Sequence, residues 1–275
     1  MSGDEPYVEK DLASVTDQII SVPTQEKFIT QMVGAMKYFF SDKDNSFRAD
    51  FPLKKDSTNF PFKGFILQGP PGSGKTEAVI EAGRRLRNQL GVESGIDVRL
   101  LHVNSSNINR SRVGEMETRL QRVFLASKSN SDNNSRTIIL FDDIETLLPK
   151  RDADSQEWSR SLNGVFFHEL DNLITTKTMV IATTNLPEEV DRAVRSRLAL
   201  RDAPAPTSEE MKEVAKSALP IRGAKGMTQN ELLELTADAI DKHLAAGKDA
   251  SFRLARQTAI ETILSAVAGW SKEDN

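Results

Sequence analysis

The chain has 275 residues, 38% of them hydrophobic and 28% charged, the balance of a globular protein with room for one large domain or a large and a small one. Its 36 basic and 40 acidic residues leave a net charge of −4, which speaks against a surface devoted to duplex nucleic acid, and the lack of cysteine excludes disulfides and thiolate metal sites. No apolar run reaches membrane-spanning length, and the opening MSGDEPYVEKD is too acidic and polar for a signal peptide, so a cytoplasmic protein without a membrane partner is expected.

Residues 1–20 read as a flexible leader. Thr24 is placed to cap a helix that carries Phe28, Ile29, Met32, Val33, Met36, Phe39 and Phe40 at helical spacing. A polar stretch, 41–61, reads as a loop. From there strands and helices alternate. GFILQ (64–68), VRLLHV (98–103), TIILF (137–141) and TMVIATT (178–184) read as strands. Between them helices are expected over Lys75 to Leu90 with Gly91 as the stop, Gly114 to Ser127, and Trp158 to Leu173. This alternation predicts an α/β fold with a parallel sheet covered on both faces. After Pro204 and Pro206 the pattern is wholly helical. Thr207 with Glu210, and Thr228 with Glu231, have capping-box spacing, and a last helix is expected from Ser251 to Trp270. The domains predicted are a large one over 21–203 and a small helical one over 204–275.

The chemistry concentrates in two stretches. In IILFDDIETLLPK four apolar residues end in adjacent carboxylates, Asp142 and Asp143. Like charges side by side call for a cation or for two different tasks. The second stretch, GPPGSGKT, supplies the cation. It comprises Gly69, Pro70, Pro71, Gly72, Ser73, Gly74, Lys75 and Thr76, lies between a strand and a helix, and has the spacing of a phosphate-binding loop. Glycines let backbone N–H groups turn inward onto phosphates, and the helix, which opens Lys75-Thr76-Glu77, points its positive end at the same anion. Lys75 is expected on the terminal phosphates and Thr76 on magnesium, with Asp142 as the second metal-site residue. Asp143 is then expected to polarise the attacking water, against the plainer alternative that it solvates the strand end.

Together these motifs resemble the AAA family of P-loop ATPases over residues 20 to 270. IILFDDIETLLPKR resembles the family's second acidic motif, ELDNL (169–173) its leucine-rich helix, and TMVIATTNLPEEVDRAVRSRL the segment of sensor 1 and the arginine fingers. The resemblance implies an α/β P-loop domain followed by a small helical lid. It implies Mg2+-ATP as cofactor, Asn185 as sensor 1, and Arg195 and Arg197 as fingers that enter a neighbouring subunit of a homo-oligomeric ring, most often a hexamer. Arg253 falls at a sensor 2 position, a feature shared with HORMA-domain-remodelling ATPases; a helix-surface arginine is the competing reading. SVPTQEKF (21–28) occupies the place where the family packs adenine.

Two departures bear on function. The family's usual glutamate after the metal-site aspartate is Asp143 here, one methylene shorter. The pore-loop aromatic is replaced by Arg112 in SSNINRSRVGEMETRL, which leaves Ile108 as the large apolar side chain there, beside Arg110. Three functions are thus expected in order: an ATP-driven remodeller of a protein partner, reached directly or through an adaptor; an ATP-gated scaffold with slow turnover; and a DNA-transaction ATPase, which the net charge disfavours.

Overall fold

The computed structural model describes residues 5–13, 20–41, 62–103, 105, 108, 114–129, 134–150 and 157–268, with 157–159 by backbone alone. The stretch 42–61 and Arg110, Arg112, Val113 and Trp270 lie outside the described residues. The chain divides into two units, one of Met1–Gln18, Ile29–Gln68 and Lys75–Asp202, the other of Ile19–Phe28, Gly69–Gly74 and Ala203–Asn275.

The first unit is built on a six-stranded sheet. Its strands are β1 (Tyr7–Lys10), β2 (Gly64–Gln68), β3 (Asp97–Val103), β4 (Ser135–Phe141), β5 (Thr178–Thr184) and β6 (Ala199–Asp202), in the order β1-β3-β4-β5-β2-β6. All neighbours run parallel except β1, which lies antiparallel on the β3 edge. Every residue of β4 and β5 is buried, as expected of central parallel strands covered on both faces. The helices of this unit are α2 (Lys75–Ser94), α3 (Glu115–Ser129), the single turn α4 (Ile144–Leu147), α5 (Glu157–Asp171) and α6 (Arg192–Arg197). The preceding α1 (Pro23–Phe40) contributes its residues from Ile29 onward. Phe124 of α3, Phe141 at the end of β4 and Phe166 of α5 form a triangle with centroids 5.6–6.2 Å apart. It fixes the end of β4, from which the acidic pair emerges.

In the second unit α7 (Ser208–Ala218), α8 (Gln229–Ala245) and α9 (Phe252–Ala268) pack around Val22, Met211, Val214, Leu232, Ile240, Ala255 and Ala259. Both capping boxes form in full: the Thr207 and Thr228 hydroxyls accept N–H bonds from Glu210 and Glu231, whose carboxylates return to the threonine N–H groups.

Several elements differ from the sequence expectation. Tyr7–Lys10, within the expected leader, is a strand, tied to β3 by a two-pronged Glu9–Arg99 ion pair at 2.7 and 2.8 Å. Strand β6 is only four residues long and ends in exposed Arg201 and Asp202, so its apolar signal is too short to read. Pro23, whose missing N–H costs nothing there, opens α1. Thr24 therefore lies inside the helix, and its N–H bonds the Glu210 carboxylate at 2.7 Å. Helix α2 continues through Gly91 to Ser94. It is Gly95, at φ 64°, that ends it, and its N–H returns to the Gly91 carbonyl.

Candidate functional site

Five of the sequence-predicted residues of the first unit lie at the carboxyl ends of the parallel strands, where open α/β sheets bind ligands. Lys75 and Thr76 open α2, Asp142 and Asp143 follow β4, and Asn185 follows β5. Lys75 is buried, and its Nζ donates to Asn185 Oδ1 at 2.8 Å. Asn185 Nδ2 in turn donates to Asp143 Oδ1 at 2.9 Å. A cation, an amide and a carboxylate are thus strung in one line.

Asp142 is held apart from that line. Its Oδ1 accepts from Thr76 Oγ1 at 2.8 Å and Thr183 Oγ1 at 3.0 Å, and its Oδ2 lies 2.5 Å from His102 Nε2. Its backbone carbonyl accepts from Ser105 Oγ at 2.7 Å. Burial by itself raises the Asp142 pKa, but the hydrogen bonds with His102, Thr76 and Thr183 and the electrostatic influence of His102 hold it below the usual carboxylate value. The group therefore stays ionised. Asp143 has φ 48° and ψ 58°, a left-handed turn that aspartate tolerates better than most residues, and its side chain is exposed. Glu145 accepts the Asn185 N–H at 3.1 Å through Oε1, while its Oε2 is buried without a partner. Glu77 is exposed in the first turn of α2, joins none of these bonds, and is placed to favour the positive helix end.

The remainder of the glycine loop belongs to the second unit. Gly72 and Gly74 have φ of 79° and 83°; a Cβ on Gly72 would fall 2.4 Å from that of Arg253, and one on Gly74 2.9 Å from Gln25 Nε2. No side chain fits at either position. The Arg253 N–H donates to the Gly72 carbonyl at 3.3 Å, so the start of α9 lies directly on the loop, with the Arg253 side chain exposed. Ser73 Oγ is buried without a partner. Within the second unit, left-handed glycines and an orphaned hydroxyl fit a phosphate group. Among the described residues no three His, Asp or Glu side chains converge on one point. A magnesium ion at Thr76 and Asp142 would take its remaining ligands from phosphate and water, which is its usual habit.

The two arginines of α6 expected as fingers, Arg195 and Arg197, differ. The helix is capped by Asp191, whose carboxylate accepts the Ala193 N–H at 2.7 Å. Arg197 is committed within its own chain. It makes two bonds to Asp171 at 2.6 and 2.9 Å and one to the Ala193 carbonyl, and its guanidinium lies 4.9 Å from the Phe167 ring centre. The Asp171 hydrogen bonds raise its pKa, and they hold that of Asp171 down. Arg195 is half-buried, with Nε lacking any partner. Ile108, the large apolar side chain of SSNINRSRVGEMETRL, is fully buried in the core cluster of the first unit.

Residues 65–202 match the family model described as "ATPase family associated with various cellular activities (AAA)", which is half of the chain. The chain belongs to the AAA family of ATPases. This AAA ATPase is 31% identical to human fidgetin-like protein 1 over 144 residues, 51% of this chain and 19% of that protein. It is 31% identical to a probable spastin homologue of Brugia malayi, over 51% of this chain and 29% of that one. It is 32% identical to the cell division cycle protein 48 homologue of Archaeoglobus fulgidus, over 49% and 17%. The match thus spans less than a third of each relative's length. In fold it is similar to a chain of the E. coli MS115-1 HORMA:CdnC:Trip13 complex, with a TM-score of 0.58 and 20% identity over 92% of this chain and 97% of that one. Among the described residues of the AAA ATPase no helix is long and apolar enough to cross a membrane.

Three residues of the cluster are given no role by the sequence motifs: His102, Ser105 and Thr183. Only His102 leaves a trace, as a polar residue in the otherwise apolar end of β3.

Proposed function

We propose that this AAA ATPase binds Mg2+-ATP and hydrolyses it in a ring of copies, to remodel a protein partner. The observation that carries the reading is the line Lys75–Asn185–Asp143 beside the separate pair Thr76–Asp142. Residues Gly69 to Gly74 and Lys75 would hold the phosphates, and Thr76 and Asp142 the cation through its hydroxyl and water ligands. When bound, magnesium withdraws charge from the phosphate oxygens. Lys75 would exchange Asn185 Oδ1 for the terminal phosphate, Asn185 Nδ2 would turn from Asp143 to the same phosphate, and Asp143, so released, would take the proton of the attacking water. Arg253 would reach the nucleotide from the start of α9, which as a lid would register its presence. Arg195, with an unpaired buried Nε, would enter the site of the adjacent copy. A net charge of −4 favours a protein partner over nucleic acid.

A second reading, an ATP-gated scaffold with slow turnover, is favoured by Asp143 and by the missing pore-loop aromatic. The short exposed carboxylate already bonds Asn185, and Ile108, the large apolar side chain of that stretch, is buried.

ATP turnover and assembly size, measured together against protein concentration for wild type and Asp143→Asn, test the reading. The expected result is turnover that rises with assembly and falls by about 10²–10⁴ in the variant. ATP-dependent assembly with negligible turnover, unchanged in Asp143→Asn, would select the scaffold.

A further inference from the structure

The hydrogen bonds around Asp142 contain one partner that phosphate-loop chemistry does not require. His102 sits on β3, beside the strand that carries Asp142, and its Nε2 is 2.5 Å from Asp142 Oδ2. The other oxygen, Oδ1, faces the two hydroxyls, of which Thr76 is the one assigned to the cation. The carboxylate is therefore clamped across its width, with His102 on one oxygen and Thr76 and Thr183 on the other. A carboxylate held on one side only can rotate about its last bond, and its distance to a metal-bound water then varies. The imidazole removes that freedom. It belongs to a strand ladder anchored on both sides, by β4 and by β1, so its own position is fixed by backbone pairing.

We propose that His102 is a positioning residue of the magnesium site: it orients Asp142 so that Oδ1 is presented to Thr76 and to the water shell of the cation. This rests on the nucleotide-site reading above. Hydrogen-bond partners behind a metal ligand are typically worth about 10- to 100-fold in metal affinity or activity, and His102 would act in that way from outside the recognised motifs.

The test is binding of a fluorescent ATP analogue by the full chain, titrated with Mg2+ and repeated in EDTA, for wild type, His102→Phe, His102→Gln and Asp142→Asn. Affinity in EDTA reports that the two His102 variants are folded with an intact phosphate loop and should stay within about twofold of wild type. The Mg2+ concentration giving half of the metal-dependent gain should rise about tenfold in His102→Phe. It should recover in part in His102→Gln, which keeps an N–H donor, and rise at least as far in Asp142→Asn. A normal Mg2+ titration in His102→Phe alongside a shifted one in Asp142→Asn overturns the role of His102 and leaves the nucleotide site standing. Normal titrations in both overturn the metal assignment of Asp142 and the proposal with it. Equal shifts in the Phe and Gln variants also count against it, since the donor would then be irrelevant.

Discussion

Arg195 and Arg197 have the same chemistry and lie on either side of Ser196, yet their surroundings predict opposite phenotypes. Arg197→Ala removes a two-pronged ion pair whose side chains are 30% and 52% exposed, and a stacking contact with Phe167. Exposed pairs contribute about 0.2–1 kcal/mol and exposed cation–π contacts about 0.5–1 kcal/mol. The loss is therefore roughly 1–2 kcal/mol, a fall in melting temperature of about 2–8 °C for a unit of this size. Turnover should drop only as far as α6 loosens. Arg195→Ala removes no hydrogen bond from Nε within the chain, so melting should hardly change. If its guanidinium serves the adjacent copy, turnover should fall by about 10³ or more.

The assay is steady-state ATP turnover of each variant above its assembly concentration, with melting curves on the same samples. Mixing sharpens it. Arg195→Ala and Lys75→Ala should each be inactive alone, yet a mixture should regain turnover. A Lys75→Ala copy would lend its arginine to the intact phosphate loop of an Arg195→Ala copy. The reasoning fails if Arg197→Ala loses turnover at an unchanged melting temperature while Arg195→Ala keeps it, or if the mixture stays inactive although mixed assemblies form.

Two further outcomes concern stability. Glu81 of α2 is nearly buried and pairs with Arg84 and Arg85 at 2.6–2.7 Å; the Arg84 hydrogen bond leads in lowering its pKa. Its contribution is therefore complete above the unfolded carboxylate value of about 4.3 and is lost as pH falls through the lower folded value. Glu81→Gln should melt below wild type at pH 7, and the gap should close under acid; a gap that is constant across pH 3–7 would contradict this. Phe166→Ala should cost about 3–5 kcal/mol, since the ring is fully buried against Phe124 and Phe141, and chemical denaturation should show the midpoint falling accordingly. A change below about 1 kcal/mol would mean the triangle does not hold the end of β4.

Much of the site was legible because its parts are local. Gly69 to Thr76 is one contiguous stretch with the spacing of a phosphate-binding loop, and Asp142 directly follows the apolar run of β4. The four interior strands and both capping boxes are local in the same sense. What was not legible depends on pairing between distant segments. Tyr7–Lys10 becomes a strand only because β3 offers it an edge, and β6 is four residues that gain their bonds from β2. His102 and Thr183 reach Asp142 only because their strands flank β4 in the sheet order. The burial of Ile108 was not legible either, because a polar neighbourhood says nothing about which side chain turns inward. The difference between Arg195 and Arg197 lies in Asp171, about two dozen positions upstream, where no motif directs attention.

The adjacent carboxylates are reconciled by backbone geometry as much as by charge. If Asp143 continued the extended path of β4, its side chain would alternate to the opposite face of the sheet from Asp142, into a layer buried by helices. The left-handed turn at φ 48° breaks that alternation, brings the carboxylate into solvent and sets it on Asn185. The Thr183 hydroxyl ties the two residues together, accepting the Asp143 N–H at 3.2 Å while donating to Asp142 at 3.0 Å. Each acid thus has its own neutralising partners: hydroxyls and imidazole for Asp142, amide and, through it, lysine for Asp143. Repulsion between them is met without sharing a proton. That division leaves one acid fixed as a permanent anion suited to a cation's water shell. The other sits at the end of a hydrogen-bond line that a terminal phosphate would interrupt, so occupancy of the phosphate loop and release of Asp143 from Asn185 are coupled through a single amide.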